Sequence, residues 1–357
     1  MDITVIRPSE LSVADRGTWQ QFQAADPEQG NPFLSPRFTR AVGRLRPAAR
    51  VAVLSDGSDP VGFFPFERHA LGAGRPIGSG FCDCQGLVHA SGLQWDATEL
   101  LRACGLVVWE FNHLTAGQAP FEGGTERYAA SPVIGLDAGY DAYQHTLQRR
   151  SPDFLRKLRA KERRLTSEAG DLHLSYETSP DLLDTLIRWK SAQYHAKGYR
   201  DHFAHPFTAA LLREMLHSPG DGAEGMLSVL YAGGQPVACQ YSLRSPRVLA
   251  FWFTAYDVRF ARFSPGVLLS LKICEAAAGQ GIRLINLGRG EDQTKKSLKT
   301  AELTVGEGRV ERRAARAALH RYRSRSVDLA RDFTAGHPAL RDAALRTVQV
   351  LDARHRT

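Results

Sequence analysis

The stretch Tyr256–Val267 contains two arginines, Arg259 and Arg262, followed by Ser264-Pro265-Gly266, a sequence typical of the start of a helix. Ser264 is placed to cap a helix, and Pro265 fits the first helical turn, where a missing backbone donor costs nothing. Gly266 has no side chain, so a ligand can approach the backbone closely. Amides at the start of a helix attract anions, so the stretch predicts either a pyrophosphate site or a helix start that binds nothing. The residues expected to hold the anion are Arg259, Arg262, Ser264, Gly266 and Val267.

Other residues capable of chemistry form weaker patterns. Cys82 and Cys84 could supply two metal ligands, but no second Cys or His pair stands at the spacing of a structural zinc site, so no metal is expected. His195, His202 and His205 cluster without a Ser or Cys in a nucleophile-elbow sequence, which disfavours a hydrolase. The sequence also contains neither a Walker loop nor a Rossmann glycine fingerprint.

The elements that must position these residues belong to a chain of 357 residues, which is long enough for two domains of roughly 100–200 residues each. Its 43% hydrophobic and 24% charged residues are typical of a folded globular protein. The five cysteines are an odd, scattered set, so reduced thiols are expected. Neither a signal peptide nor a spanning apolar stretch is recognised, which predicts a cytoplasmic protein.

The formal net charge of +8 suits a polyanionic partner such as a phosphorylated cofactor or a nucleic acid. Much of the excess lies in the stretches Arg149–Arg164 and Arg309–Arg325. Each stretch indicates the basic face of a helix, which is either solvated or in contact with phosphates.

Hydrophobic periodicity predicts strands mixed with helices up to about Pro132, including a hairpin over residues 50–66. From Tyr140 the pattern is mainly helical up to Lys197. Three antiparallel strands over residues 226–256 follow, and then a helix over residues 264–279. A strand over residues 282–287 ends at a Gly-Arg-Gly turn.

Several short motifs occur together in this second part of the chain. They are Arg188-Trp189-Lys190, Phe203, Gly233-Gly234-Gln-Pro-Val-Ala238, Tyr256-Asp257, Ser264-Pro265-Gly266, Gly281, and Leu287-Gly-Arg-Gly290 followed by Lys295 or Lys296. In order and spacing, the run from Trp189 to Lys299 resembles the GNAT-like domain of the CelD-type, cellulose-biosynthesis-associated acetyltransferases, which are related to the FemAB aminoacyl transferases. A weaker resemblance, through Asn31-Pro-Phe and Phe81-Cys-Asp-Cys84, extends over most of the chain.

The resemblance implies an α/β, tandem GNAT-like fold with two mixed β-sheets flanked by helices and a helical C-terminal tail. Residues 1–135 would form a degenerate first GNAT-like domain, residues 136–308 the domain with the donor site, and residues 309–357 a basic helical tail. The implied activity is transfer of an acyl group, acetyl first of all, from acyl-CoA to an amine of a small molecule or sugar. The pyrophosphate of coenzyme A would then bind at the anion site described above.

Acyl transfer to an amine needs a base for the amine proton and donors for the oxyanion. Asp257, Glu291 and Asp292 are the candidate bases. The alternatives stay open: Asp257 could simply end its strand, and the other two could be solvated acids that balance nearby lysines. The resemblance assigns substrate contacts to Trp189, Tyr241, Tyr256, Asn286, Arg289 and Lys295.

Two other functions remain possible from the sequence. The donor could be aminoacyl-tRNA, as in FemAB relatives, with the basic helix at residues 149–164 on the phosphate backbone. Alternatively, the fold could serve a non-catalytic accessory protein of exopolysaccharide assembly, because a fold does not fix a function. The sequence predicts no membrane span and does not specify the oligomeric state.

Overall fold

The computed structural model of the protein describes residues 1–217, 220–290 and 292–312. Its helices are α1 (Val13–Ala25), α2 (Pro36–Leu45), α3 (Ala97–Ala103), α4 (Ala119–Glu122), α5 (Gly139–Arg150), α6 (Pro152–Ala169), α7 (Pro180–Ala196), α8 (Pro206–His217), α9 (Pro265–Gly279) and α10 (Gln293–Leu298). Its strands are β1 (Asp2–Ile6), β2 (Ala49–Asp56), β3 (Asp59–Arg68), β4 (Ala73–Pro76), β5 (Val88–His89), β6 (Val108–Leu114), β7 (Thr125–Gly135), β8 (Leu172–Glu177), β9 (Glu224–Ala232), β10 (Gln235–Arg244), β11 (Val248–Tyr256), β12 (Leu284–Asn286) and β13 (Ala301–Glu311).

These strands form one mixed sheet in the order β1-β2-β3-β4-β6-β13-β7-β12-β11-β10-β9-β8, and β5 pairs with β3 beside this path. The mixed α/β class with flanking helices is confirmed, but the two sheets expected from the sequence are one. The cause lies in β7 and β13, two strands of 11 residues each, which pair antiparallel with each other. An unpaired strand edge exposes backbone hydrogen-bonding groups, and this pairing satisfies the edges of both halves at once.

The sheet order shows the tandem arrangement directly. From β1 to β7 and from β8 to β13 the chain runs through matching elements: β1–β4 correspond to β8–β11, β6 to β12, and α1–α4 to α7–α10. The last strands are exchanged, since β13 lies against β6 and β7 lies against β12. Helices α5 and α6 connect the halves.

A local turn repeats in both halves and supports the same correspondence. The Asn31 side chain accepts a hydrogen bond from the Phe33 amide (3.1 Å), and the Asp201 side chain accepts one from the Phe203 amide (2.8 Å). Each turn leads into a helix that begins three residues after the phenylalanine. Asn and Asp favour such turns because their side chains bond to the backbone two residues on.

The two halves share one hydrophobic core between α1, α2, α7 and α8. The Phe33 ring meets the Trp252 ring edge-on, with 5.1 Å between centroids. The buried Arg37 guanidinium donates to the Glu214 carboxylate (3.2 Å) and to the backbone carbonyl of Glu214 (2.6 Å). These bonds compensate for the burial of the charge. The relative placement of the halves is therefore fixed by packing as well as by the sheet.

The predicted domain boundary between residues 135 and 136 coincides with the end of β7, and residues 1–310 form one compact unit. The division into two domains stays a prediction. The basic tail was expected to be helical from residue 309, but β13 continues to Glu311, and the Arg309 amide donates to the Gly124 carbonyl (2.9 Å). The rest of the tail prediction lies outside the described residues.

No helix within the described residues is long and apolar enough to cross a membrane. The cytoplasmic location stays a prediction from the sequence.

Candidate active site

Helix α9 begins at Pro265, as the sequence predicts, but Ser264 does not cap it through its side chain. The backbone of Ser264 is left-handed (φ 56°, ψ 50°), whereas a capping side chain needs an extended backbone to reach the helix amides. Its hydroxyl instead accepts a hydrogen bond from the ammonium group of Lys161 on α6 (2.8 Å). The turn therefore brings a cation to the start of α9.

The amides at this helix start are not equally available. The Ser264 carbonyl accepts hydrogen bonds from the amides of Val267 (3.0 Å) and Leu268 (3.2 Å). The prediction that the Val267 amide is free to hold the anion is therefore wrong. The Gly266 amide makes no hydrogen bond within the described residues. A carbon added to Gly266 would lie 3.3 Å from Thr254 Cγ2, so the missing side chain allows α9 to start close against β11.

Two arginines of the predicted anion site reach the surface here. Arg262 is 62% exposed and pairs with Glu168 of α6. Arg259 is 71% exposed and pairs with Asp257 (2.6 Å). Hydrogen bonding from Arg259 lowers the pKa of Asp257, which makes this carboxylate a weaker base and a support for the arginine.

Strands β11 and β12 part just beside the start of α9. Their parallel pairing covers only Val248–Ala250 and Leu284–Asn286. Beyond Ala250, β11 continues to Tyr256 with β10 as its partner, while the chain leaves β12 into a turn at Gly288. A gap therefore opens between the end of β11 and the turn after β12.

Side chains from α7 line the β11 side of this gap. The Lys190 ammonium donates to the Thr254 carbonyl (3.0 Å), and the Gln193 side chain donates to the Tyr256 carbonyl (3.3 Å). Burial, assisted by the charges of Lys197 and Lys295, lowers the pKa of Lys190 to about 8. Lys190 is thus a half-buried cation whose charge is easily lost.

The opposite side of the gap carries a second lysine. Lys295 on α10 donates from its ammonium group to the carbonyls of Gly288 (3.1 Å) and Arg289 (3.0 Å). Its amide bonds to the Asp292 side chain (2.8 Å), which caps α10. Burial lowers the pKa of Lys295, opposed by the charges of Asp292 and Asp83.

Asp83 reaches this place from the first half of the chain, on the loop between β4 and β5. A carbon added to Gly288 would lie 3.1 Å from Asp83 Oδ2 and 3.8 Å from Lys295 Nζ, so both groups surround the same point. His113 Nε2 lies 3.6 Å from Asp83 Oδ1. Burial raises the pKa of Asp83 to about 6, although the nearby charge of Lys295 lowers it. Burial lowers the pKa of His113 to about 4.

Two of the predicted substrate residues support the turn after β12. The buried Asn286 side chain accepts hydrogen bonds from the Gly288 amide (2.7 Å) and the Ser131 hydroxyl (3.3 Å). Arg289 pairs with Glu307 (2.5 Å), which ties the turn to β13. Both residues therefore fix the geometry around Lys295.

The other predicted residues are spread over different surroundings. Tyr241 is fully buried and donates its hydroxyl to the Leu212 carbonyl (2.7 Å), so it offers no surface to a ligand. Trp189 is partly buried against the shared core. Tyr256 lies beside Gly266, 3.6 Å from the carbon that a side chain there would add. Glu291 lies outside the described residues.

Several residues were missed from the sequence: Asp83, His113, Lys190 and Gln193 at the gap, and Lys161 at the start of α9. Lys190 stands within a quoted motif, and that was a usable signal. Asp83 stood within the Phe81-Cys-Asp-Cys84 motif, which the sequence analysis used for a metal pattern and for the weaker resemblance, but it was not itself named as a site residue. Within the described residues, no group of three or more His, Cys, Asp or Glu side chains is placed to hold a metal ion.

Comparison with known proteins identifies the fold. Residues 152–296 match the acetyltransferase (GNAT) domain family. FemX superimposes with a TM-score of 0.57 at 10% identity, covering 87% of this chain and 96% of FemX. A conserved protein of unknown function from Bacteroides thetaiotaomicron gives 0.53 at 13% identity, covering 86% and 100%. No curated protein matches the chain at a significant level. The chain has a GNAT-type acyltransferase fold, and the finer resemblance to the CelD-type family stays a prediction.

Proposed function

We propose that the protein is an N-acyltransferase that moves an acyl group from acyl-CoA to an amine of a small molecule or sugar. The observation that carries this proposal is the parting of β11 and β12 beside the start of α9. A GNAT-type donor needs a phosphate site and an adjacent opening for its thioester arm, and both meet at this place.

The phosphate end of the donor would bind at the start of α9. The available Gly266 amide and the positive end of the helix dipole favour an anion there. Arg259 and Arg262 from the turn and Lys161 from α6 add three cations at this place, each now held by a protein oxygen that the phosphates would replace. Ser264 and Val267 shape the turn rather than supply the donors.

The reacting end would enter the gap. An acyl carbonyl placed between β11 and the turn after β12 would face the ammonium groups of Lys190 and Lys295, which can stabilise a developing oxyanion. Trp189, Tyr256 and Arg289 are proposed to border the acceptor. Of the carboxylates predicted as bases, Asp292 is engaged as the cap of α10 and Asp257 is paired with Arg259.

A second donor, aminoacyl-tRNA, is favoured by a different surface. Helix α6 has a basic face on which Arg156 and Arg164 are 75% and 70% exposed, and it joins the start of α9 through Lys161. A phosphate backbone could follow this face. The fold likeness to FemX is consistent with either donor.

Calorimetric titration of the purified protein with acetyl-CoA, a longer acyl-CoA and an aminoacyl-tRNA separates the alternatives. Binding of acetyl-CoA supports the proposal, and binding of the aminoacyl-tRNA alone favours the second donor. A protein that binds none of the three contradicts both and leaves the accessory function.

An arginine pair provides the matched control. Arg262→Ala removes a charge-assisted hydrogen bond to the donor, which is typically worth roughly 1.5–3 kcal/mol. Because the donor phosphate must first displace Glu168 from Arg262, we expect the lower end of this range. That corresponds to about tenfold weaker acetyl-CoA binding. Arg156→Ala removes an arginine of α6 that is exposed to a similar degree (75%, against 62% for Arg262) and should leave acetyl-CoA binding unchanged. Equal affinities of the two variants would remove Arg262 from the site.

A further inference from the structure

We propose that Asp83 is the general base of the transfer, so that the first half of the chain supplies a catalytic residue to the gap in the second half. This inference rests on the proposed function. Neither the GNAT domain match, which begins at residue 152, nor the fold likenesses assign a role to this residue.

The loop that carries Asp83 is held from both sides. The Phe81 ring packs against the rings of His202 (5.6 Å) and Phe207 (5.5 Å) in the second half. The Gln85 side chain donates to Asn112 (2.8 Å) in the first half. Asp83 lies between these two anchors, so its carboxylate has a defined position over the Gly288 turn.

Gly288 keeps the approach to this carboxylate open. Its φ of +75° suits glycine, and a side chain there would stand 3.1 Å from Asp83 Oδ2. The space that a side chain would fill lies between the Asp83 carboxylate and the Lys295 ammonium. An acceptor amine in this space would contact the base on one side and lie close to the cation that faces the acyl carbonyl.

The Asp83 carboxylate differs from the other described candidates because its oxygens are available. It accepts no hydrogen bond from the residues that the structure describes, and its side chain is 28% exposed. In contrast, Asp257 is bonded to Arg259, and Asp292 bonds to the Lys295 amide. A base must offer a lone pair to the proton that it removes, and Asp83 does so without breaking an existing hydrogen bond.

In the proposed step the acceptor nitrogen attacks the thioester carbon and forms the C–N bond. The proton on that nitrogen passes to Asp83, and the C–S bond breaks with its electron pair on sulfur. The CoA thiolate takes a proton from solvent, and Asp83 returns its own proton to solvent. The products are the amide and free CoA, so atoms and charge balance.

The surroundings of Asp83 suit proton transfer near neutral pH. Lys295 on α10, His113 on β6 and Tyr194 on α7 face it, together with Cys82 and Cys84 of its own loop. Burial raises the pKa of Asp83 to about 6, with Lys295 opposing. Since the base must be deprotonated, turnover should fall as the pH drops through about 6.

The test compares Asp83→Asn and Asp83→Glu with the control Asp56→Asn, which removes an exposed carboxylate of the first half at the end of β2. Release of CoA from acetyl-CoA is followed with glucosamine and with water alone as acceptor, and CoA binding is measured by calorimetry. Asp83→Asn should bind CoA as the wild type does and lose roughly 100- to 10,000-fold in turnover. Asp83→Glu should recover part of that loss, and the acid limb near pH 6 should be absent from Asp83→Asn.

Each contrary result has a separate meaning. If Asp83→Asn keeps wild-type turnover, the role of Asp83 is overturned while the proposed function stands. If the wild-type protein binds CoA but does not convert acetyl-CoA to CoA above the background rate, the assignment of a base here is also overturned. A wild-type protein that does not bind CoA at all contradicts the proposed function itself.

Discussion

Replacing Lys190 by Met should change how the stability of the protein depends on pH. The pKa of Lys190 falls from its ordinary 10.5 to about 8, mainly through burial. Each pKa unit corresponds to about 1.4 kcal/mol, so the folded state disfavours the charged lysine by about 3 kcal/mol. Methionine fills similar space without a charge and avoids this cost.

The direction of the effect follows from the two pKa values. Below pH 8 the lysine is charged in both states and the folded protein carries the full penalty. Between pH 8 and 10.5 the unfolded chain binds more protons, so the stability of the wild type rises with pH. The advantage of Lys190→Met over the wild type should therefore shrink by about 3 kcal/mol between pH 7 and pH 10.5. The variant also loses the hydrogen bond from Lys190 to the Thr254 carbonyl, which offsets part of its advantage.

Urea unfolding of both proteins at several pH values from 7 to 10.5 measures this difference directly. Groups that titrate identically in both proteins cancel. Lys157→Met, at an exposed position on α6, serves as the control and should show no such trend. A difference between Lys190→Met and wild type that stays constant with pH would refute the reasoning from burial.

Three further outcomes are expected. Gly266→Val should weaken acetyl-CoA binding in calorimetry, because even its first carbon would lie 3.3 Å from Thr254 Cγ2 and push the helix start from β11. Gly225→Ala should lower the free energy of unfolding by about 2 kcal/mol or more, since the added carbon would lie 2.1 Å from the Tyr241 hydroxyl oxygen. Truncation after Arg312 should leave cooperative unfolding in urea intact, because β13 ends at residue 311.

These outcomes also have contradicting results. Gly279→Ala, in open space on α9, is the matched control for Gly225→Ala and should not destabilise the protein. Equal losses in both would mean that the contact with Tyr241 is not the cause. Unchanged CoA binding in Gly266→Val, or loss of the cooperative transition after truncation, would contradict the other two.

Local signals in the sequence predicted much of the architecture. Ser35 caps α2 through the Phe38 amide (3.0 Å), as its position before Pro36 predicts. The hairpin of β2 and β3 and the three antiparallel strands β9–β11 follow from turn residues and alternating patterns, which act over a few residues. Helix α9 was found for the same reason.

Features that depend on distant parts of the chain were not predictable from such signals. The pairing of β7 with β13 joins residues some 170 positions apart, and nothing in either strand specifies its partner. The contact between Asp83 and the Gly288 turn spans a longer separation still. The left-handed backbone of Ser264 was missed because a Ser-Pro sequence normally indicates a capped helix, while here Lys161 binds the hydroxyl.

The exchange of β7 and β13 has a consequence for how the chain could be divided. If the backbone were cut at Asp137–Ala138, each fragment would still have its last strand inserted beside a strand of the other. The two pieces should stay together as a complementing pair until the sheet itself unfolds. The same exchange joins the two halves through a continuous sheet as well as through α5 and α6.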